Sequence, residues 1–322
     1  MSVLTAAHFH DEPAAYVFVE ARVWANGISC PHCGNVDAAK IGKLTGKSTR
    51  IGVHKCYACR KPFTVKVGTI FENSHIALHL WLQAIFLMAS SKKGISSNQL
   101  HRTLGVTLKS AWFMSHRIRE AMRVGGLGPM GGAGSVVEAD ETYYGPKKDQ
   151  TRSEATKPGQ RSIDRRKPGF VKRPIVSLVE RGGKVRSFHV EQATKVNVAK
   201  IVSENVSAES KLYTDQSHLY TEVGKGFADH QTTNHSKDEY VRYEGDAVIH
   251  SNTVENYFSV FKRGMKGTYQ HCDEKHLHRY LAEFDFRYNS RVALGIGDVG
   301  RAASLLDGVV GKRLTYRTTS GR

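Results

Sequence analysis

An α/β domain with a mixed sheet, set behind a cysteine-paired ribbon and a short helical module, is the fold this 322-residue sequence predicts. Three observations carry that expectation. Two Cys-x-x-Cys pairs stand near the N-terminus, three helical stretches follow them, and strand and helix signals alternate beyond a glycine-rich segment. At about 150 residues per domain, the length suits two domains or so. Hydrophobic residues make up 40% of the chain, and 30 glycines accompany them. That is a globular composition, and it excludes a disordered basic tail protein.

The pairs are Cys30-Pro-His-Cys33 and Cys56-Tyr-Ala-Cys59, separated by residues 34–55. This is close to the spacing of four-thiolate zinc sites. A two-residue spacer lets both sulfurs of a tight knuckle face one metal, and two knuckles complete a tetrahedron. The expected zinc ribbon covers residues 30–70, after an N-terminal segment of residues 1–29. In a unit of about 40 residues the metal supplies most of the folding free energy. A redox dithiol or a pair of disulfides would use the same four cysteines. Both fit less well in a chain whose first residues carry acids where an export signal carries bases. His32 reads as a knuckle-surface residue and Cys272 as an ordinary thiol.

Residues 75–90 set Ile76, Leu80, Ile85 and Met88 at helical spacing, with Trp81 and Phe86 widening the stripe. A second helix fits residues 97–104. Gly105 supplies a turn, and Thr107 is the N-cap of a third helix over 108–124. Two short helices about a glycine resemble a helix-turn-helix, so residues 71–124 form an expected DNA-binding region. Leu108, Trp112, Ser115, Ile118 and Met122 take the inner side of the third helix. Lys109, His116, Arg117 and Arg119 take the outer side, suited to a DNA groove. A plain three-helix bundle with a solvated basic face would carry the same pattern.

Residues 125–134 are a Gly-rich linker on composition. Residues 135–140 then read as a strand ending in acids, and strands at 174–180 and 185–190 are joined by the hairpin signal Gly182-Gly183. Between them lies a basic loop, 146–173. From Lys147 to Arg173 it holds ten Lys/Arg against three Asp/Glu, with almost no apolar residue, which predicts a mobile segment. It either touches phosphates, through Lys147, Lys148, Arg165 and Arg166 among others, or merely solubilises. A helix at 193–206, a strand at 211–214, a helical region, a strand at 247–249 and a helix at 252–264 follow. Together residues 135–264 make an α/β domain with a mixed five-stranded sheet, whose first three strands can form an antiparallel meander. Residues 265–322 are a C-terminal helical region and tail, in which Leu277, Leu281, Phe284 and Tyr288 form a stripe that reads as core.

Asp140 and Asp215 fall at the ends of expected strands, and Glu255 lies in the first turn of the helix at 252–264. Strand ends and a packed helix can gather three carboxylates from distant parts of a chain. Like charges so gathered repel unless they bind cations, and hard oxygens suit Mg²⁺ or Mn²⁺. Two ions roughly 3.5–4 Å apart can drive phosphoryl transfer. Asp140 and Asp215 could instead cap loops, and Glu255 could close a capping box led by Asn252. Spacing alone does not choose among these and Glu138, Glu141 or Asp229. On the helix, Glu255, Ser259 and Lys262 share one face while Val254, Phe258 and Phe261 share another.

The formal charge is +17, from 47 Lys+Arg against 30 Asp+Glu, which implies a polyanionic partner, nucleic acid first. No apolar run approaches the roughly 18 residues of a membrane span. The longest, residues 80–89, is interrupted by Gln83, so a soluble intracellular protein without a membrane partner is expected.

Several motifs occur in order: Ala139-Asp140-Glu141-Thr142-Tyr143-Tyr144-Gly145, Tyr213-Thr214-Asp215, and Thr233-Asn234-His235-Ser236-Lys237-Asp238-Glu239-Tyr240-Val241-Arg242. His250-Ser251-Asn252-Thr253-Val254-Glu255-Asn256-Tyr257-Phe258 follows, then Glu283-Phe284 and Phe286-Arg287-Tyr288-Asn289. Over about residues 28–292 the chain resembles the DDE transposases of bacterial insertion sequences, in their zinc-ribbon group, the IS-fifteen-ninety-five family. The resemblance implies an RNase H-like catalytic domain behind a zinc ribbon and a helix-turn-helix. It also implies Asp140, Asp215 and Glu255 as the catalytic, magnesium-binding triad.

The function so implied is binding of an element's terminal inverted repeats, cleavage of its ends, and joining of the 3′-hydroxyls to target DNA. The implied partner is double-stranded DNA, held by a homodimer or higher oligomer in the bacterial cytoplasm, associated with the nucleoid. Lys262 and Arg263 would meet phosphates. His250 and Asn252 would support the site, with helix entry an equal role for Asn252. A nuclease of the same fold that never joins would share these features. A non-catalytic ribbon and helix-turn-helix regulator would explain residues 30–124 but not the acids.

Overall fold

The computed structural model describes residues 3–146, 172–234, 239–245 and 247–315. Lys147, Lys148, Arg165 and Arg166 of the expected basic loop lie outside them. Two compact units form: Met1–Gly125 joined by Ser290–Arg322, and Gly126–Asn289. The C-terminal stretch read as one region is thus divided between the two.

The first unit opens with helix α1 (Glu12–Val23), started by Asp11, whose carboxylate accepts the Ala14 amide at 2.8 Å. Strands β1 (Ile41–Lys43), β2 (His54–Cys56) and β3 (Pro62–Phe63) make a small antiparallel sheet. Its core is Cys30, Cys56 and Phe63, with Trp24 and Ile28 packed against them. The ribbon therefore draws on residues before Cys30. Helices α2 (Leu78–Ser90), α3 (Ser97–Leu104) and α4 (Leu108–Met122) follow. Thr107 caps α4 by accepting the Ser110 amide, and Gly105 takes a left-handed φ of 66° between α3 and α4. Trp81, Leu82, Ile85 and Met88 are buried along α2, and the helix Asp298–Asp307 returns to this unit.

The second unit is built on strands β4 (Val136–Pro146), β5 (Lys172–Glu180), β6 (Val185–His189), β7 (Lys211–Asp215) and β8 (Asp229–Thr233). Their order is β6-β5-β4-β7-β8. The first three are antiparallel, while β4–β7 and β7–β8 run parallel, so the sheet is mixed. Alternation along β4 and β5 feeds two cores. Val137, Ala139, Val176 and Leu178 meet helix α5 (Lys195–Asn205) and the short α6 (Thr221–Gly224) through Val198, Val202 and Val223. On the other face Ile175 and Val179 meet Val254, Phe258 and Phe261 of α7 (Asn252–Gly264), and Leu277, Leu281 and Phe284 of α8 (Leu277–Asn289).

The sheet has the expected five strands, but the fifth is not the expected one. Residues 247–249 do form a strand, Ala247–Ile249, yet among the described residues it pairs only with Arg242–Glu244 in a separate two-stranded ribbon. The fifth position belongs to β8, in a stretch read as helical. Its sequence Asp-His-Gln-Thr-Thr shows no apolar alternation because β8 is an edge strand, buried fully only at Thr233.

Candidate active site and metal centres

In the ribbon, all four cysteine sulfurs lie within 4.8 Å of one another. Cys30 and Cys59 sulfurs are 3.7 Å apart, and those of Cys33 and Cys56 are 3.8 Å apart. A tetrahedron with Zn–S bonds of about 2.3 Å has edges of about 3.8 Å, so the cage fits zinc. The two knuckles are built alike. The Cys30 amide donates to Asn35 O at 2.8 Å and the Cys56 amide to Lys61 O at 3.1 Å. Each turn closes on a left-handed residue after its second cysteine, Gly34 at φ 72° and Arg60 at φ 62°. Burial opposes ionisation of Cys30, but the amides of His32 and Cys33 and the neighbouring thiols bring it down to about 7. His32 is exposed, with Nε2 3.3 Å from Pro62 O, outside the sulfur cage.

The acidic centre arises where parallel pairing ends. β4 and β7 pair from Val136↔Lys211 to Glu138↔Tyr213 and then separate. The same offset carried forward sets Asp140 level with Asp215, on the carboxyl side of the parallel pairing, where ligands bind in open α/β sheets. Asp215 closes β7, but the strand expected to stop at Asp140 runs on to Pro146 because β5 continues to pair with it. Asp140, Glu141 and Asp215 bring carboxylate oxygens within 4.8 Å of one another. Burial, then the charges of Asp215, Glu141 and Glu255, push the Asp140 carboxyl up to about 8. A site of hard oxygens whose strongest electrostatic neighbours are negative fits a divalent cation.

Glu255 is exposed in the first turn of α7 and acts on Asp140 through its charge, but stands outside the group of three. Its helix face is as expected, with Ser259 and Lys262 exposed beside it and Val254, Phe258 and Phe261 buried behind. Ser251, not Asn252, precedes the helix as its N-cap, and Asn252 is exposed at the first helical position. Lys262 and Arg263 are exposed at the helix end. His250 turns to the protein, with Nδ1 3.2 Å from a Glu138 oxygen.

Glu141, an alternative that spacing alone left open beside Glu138 and Asp229, is the one of the three that joins Asp140 and Asp215. Burial raises its carboxyl, and the Tyr220 hydroxyl donates to it at 2.9 Å. Its one sequence signal is adjacency to Asp140.

The basic face expected on α4 is corrected for three of its four residues. His116, Arg117 and Arg119 are 1%, 5% and 1% exposed, so they cannot read a groove. Arg117 donates to the carbonyls of Ile70 and Glu72 at 2.7 Å and of Leu314 at 3.1 Å, holding loops to the helix. Arg119 donates to Ser115 Oγ. Their charge is spent on satisfying buried acceptors. Lys109 is exposed.

A four-thiolate ribbon in one unit, and a cluster of acids just beyond the parallel pairing of β4 and β7 in the other, form the combination of a DDE transposase. Comparison with known proteins agrees. Residues 131–289 match the ISXO2-like transposase domain and residues 10–62 the transposase zinc-ribbon domain, and the chain belongs to this family of insertion-sequence transposases. Among relatives, it is 26% identical over 285 residues to a Halobacterium salinarum protein described as an uncharacterized protein in the transposable element ISH50, covering 85% of this chain and 89% of that one. Among solved structures, the Mos1 strand transfer complex aligns with a TM-score of 0.21 at 13% identity, over 66% of this chain and 76% of that chain. A Mos1 transposase paired-end complex with the left transposon end aligns over the same shares, with a TM-score of 0.21 at 14% identity. Likeness at that level carries no argument. Among the described residues no helix is long and apolar enough to cross a membrane.

Proposed function

We propose that the chain binds the terminal inverted repeats of its own element as a dimer or larger assembly, cuts the ends, and joins the 3′-hydroxyls to target DNA. The observation that carries this reading is the acidic group just beyond the parallel pairing of β4 and β7, with Asp140 held near 8 by burial and by negative neighbours. In this reading the unit is RNase H-like, and Asp140, Asp215 and Glu255 are its triad. Two Mg²⁺ or Mn²⁺ ions bound there would polarise the scissile phosphate and activate water or the 3′-hydroxyl. Asp140 and Asp215 fix the centre from neighbouring strands, and Glu255 approaches it from α7. Lys262 and Arg263, exposed two helical turns along from Glu255, neutralise flanking phosphates.

The ribbon, with zinc, and α2–α4 as a helix-turn-helix would recognise the ends, Lys109 being the exposed cation retained from the expected face. Residues 146–173 add positive charge near the same DNA, and the assembly acts on the nucleoid in the cytoplasm. Labelled element ends incubated with Mg²⁺ test the proposal. Asp140→Asn, Asp215→Asn and Glu255→Gln should each abolish joining while end binding persists. Substantial joining by any one of them removes that residue from the triad, and cutting without joining by the parent protein makes it a nuclease.

A further inference from the structure

Glu138 and Asp140 stand two residues apart on one face of β4, yet their surroundings are opposite. Asp140 is crowded by other acids. Glu138 is fully buried, and donors surround it. Arg181 Nε donates to it at 2.6 Å, Thr253 Oγ1 at 2.8 Å, and the amides of Thr253 and Val254 at 2.8 and 3.1 Å. The His250 ring lies 3.2 Å away.

The two amides belong to the first turn of α7. The Ser251 side chain makes no capping bond, and of the amides His250 Nδ1 meets only that of Asn252, at 3.3 Å, which leaves those of Thr253 and Val254. A carboxylate from β4 therefore takes the place of the N-cap, satisfying amides that would otherwise be orphaned and opposing the positive end of the helix. Arg181 completes the clamp by donating also to the carbonyls of Val248 and His250, on the segment that leads into α7. Glu255 is the next residue after the clamped Val254.

We infer that Glu138, backed by Arg181, is the positioning residue of the acidic centre: it bolts the first turn of α7 to β4 and so fixes Glu255 relative to Asp140. The inference rests on the reading of Asp140, Asp215 and Glu255 as metal ligands. Glu138 does not itself touch the metal or the DNA. Its loss weakens metal binding through the misplacement of Glu255, as loss of groups that orient ligands does in other metal sites, typically by about 10- to 100-fold.

The test is Mn²⁺ binding to the zinc-loaded, DNA-free protein, followed by electron paramagnetic resonance, beside Mn²⁺-dependent joining. Parent, D140N, E138Q and T253V are compared. D140N should lose Mn²⁺ binding, which checks the underlying reading independently. E138Q should bind Mn²⁺ at least tenfold more weakly, and its joining should recover at high Mn²⁺. T253V removes one donor, keeps both amide bonds, and should shift in the same direction by a smaller factor. If E138Q does not fold, T253V decides. Folded E138Q or T253V with parental Mn²⁺ affinity, whatever its thermal stability, would reduce Glu138 to a structural group and overturn the inference. D140N binding Mn²⁺ like the parent would instead overturn the metal-centre reading, and the inference with it.

Discussion

Asp140→Asn should stabilise the magnesium-free protein while destroying its response to magnesium. The folded carboxyl titrates at about 8 instead of its ordinary 3.8. A raised carboxyl contributes fully to stability below its unfolded value and loses that contribution as pH rises toward the folded value. Each pH unit in that window is worth about 1.4 kcal/mol, so at pH 7 the cost approaches about 4 kcal/mol. Water reaching the open side of the half-buried group reduces this to about 2 kcal/mol. Asparagine keeps the shape and carries no charge. In zinc-replete, magnesium-free buffer, its melting temperature should exceed the parent's by about 5 °C at pH 7. The gain should shrink to near zero by pH 4 and grow toward pH 8. Added Mg²⁺ should raise the parent's melting temperature and leave the variant's unchanged. A variant less stable than the parent at pH 7, or a gain independent of pH, would refute the electrostatic account of the site.

Zinc removal should unfold the ribbon around Cys30, Cys33, Cys56 and Cys59 and leave Gly126–Asn289 folded, which far-ultraviolet circular dichroism and limited proteolysis would resolve. Arg60→Gly should raise ribbon stability by about 1 kcal/mol, because glycine holds the left-handed φ without strain; a zinc-competition titration reads it. Arg117→Met should cost about 3 kcal/mol in denaturant unfolding by stranding the Ile70 and Glu72 carbonyls, whereas Lys109→Ala should leave stability unchanged and weaken end binding. Lys262→Ala and Arg263→Ala should each reduce the salt slope of DNA binding by about 1, measured by fluorescence anisotropy across salt concentrations.

Much of this architecture was legible because its signals are local. Cys30-x-x-Cys33 and Cys56-x-x-Cys59 declare their geometry within four residues each, and the caps at Thr107 and Gly105 do the same for α3 and α4. Asp215 was legible as an acid at a strand end, whereas the strand expected to stop at Asp140 runs on to Pro146 along its partner β5. What stayed hidden depends on distant partners. Arg117 looks like a groove-reading residue until the carbonyls of residues 70, 72 and 314 are placed around it. Glu138 and Asp140 share a strand face, and only donors from residues 181 and 253–254 distinguish the clamped acid from the crowded one. β8 escaped notice because an edge strand of Asp, His, Gln and Thr has no hydrophobic period to read.

The central claim is that the acids just beyond the parallel pairing of β4 and β7 make this chain a metal-dependent DNA-joining enzyme. Its most direct test is a joining reaction with labelled terminal repeats, Mg²⁺ and a target duplex, run with the parent protein and with Asp140→Asn, Asp215→Asn and Glu255→Gln. The account predicts joined products that require Mg²⁺ from the parent, and bound but unjoined ends from all three variants. Joining without a divalent cation, or full joining by Asp140→Asn, would contradict it.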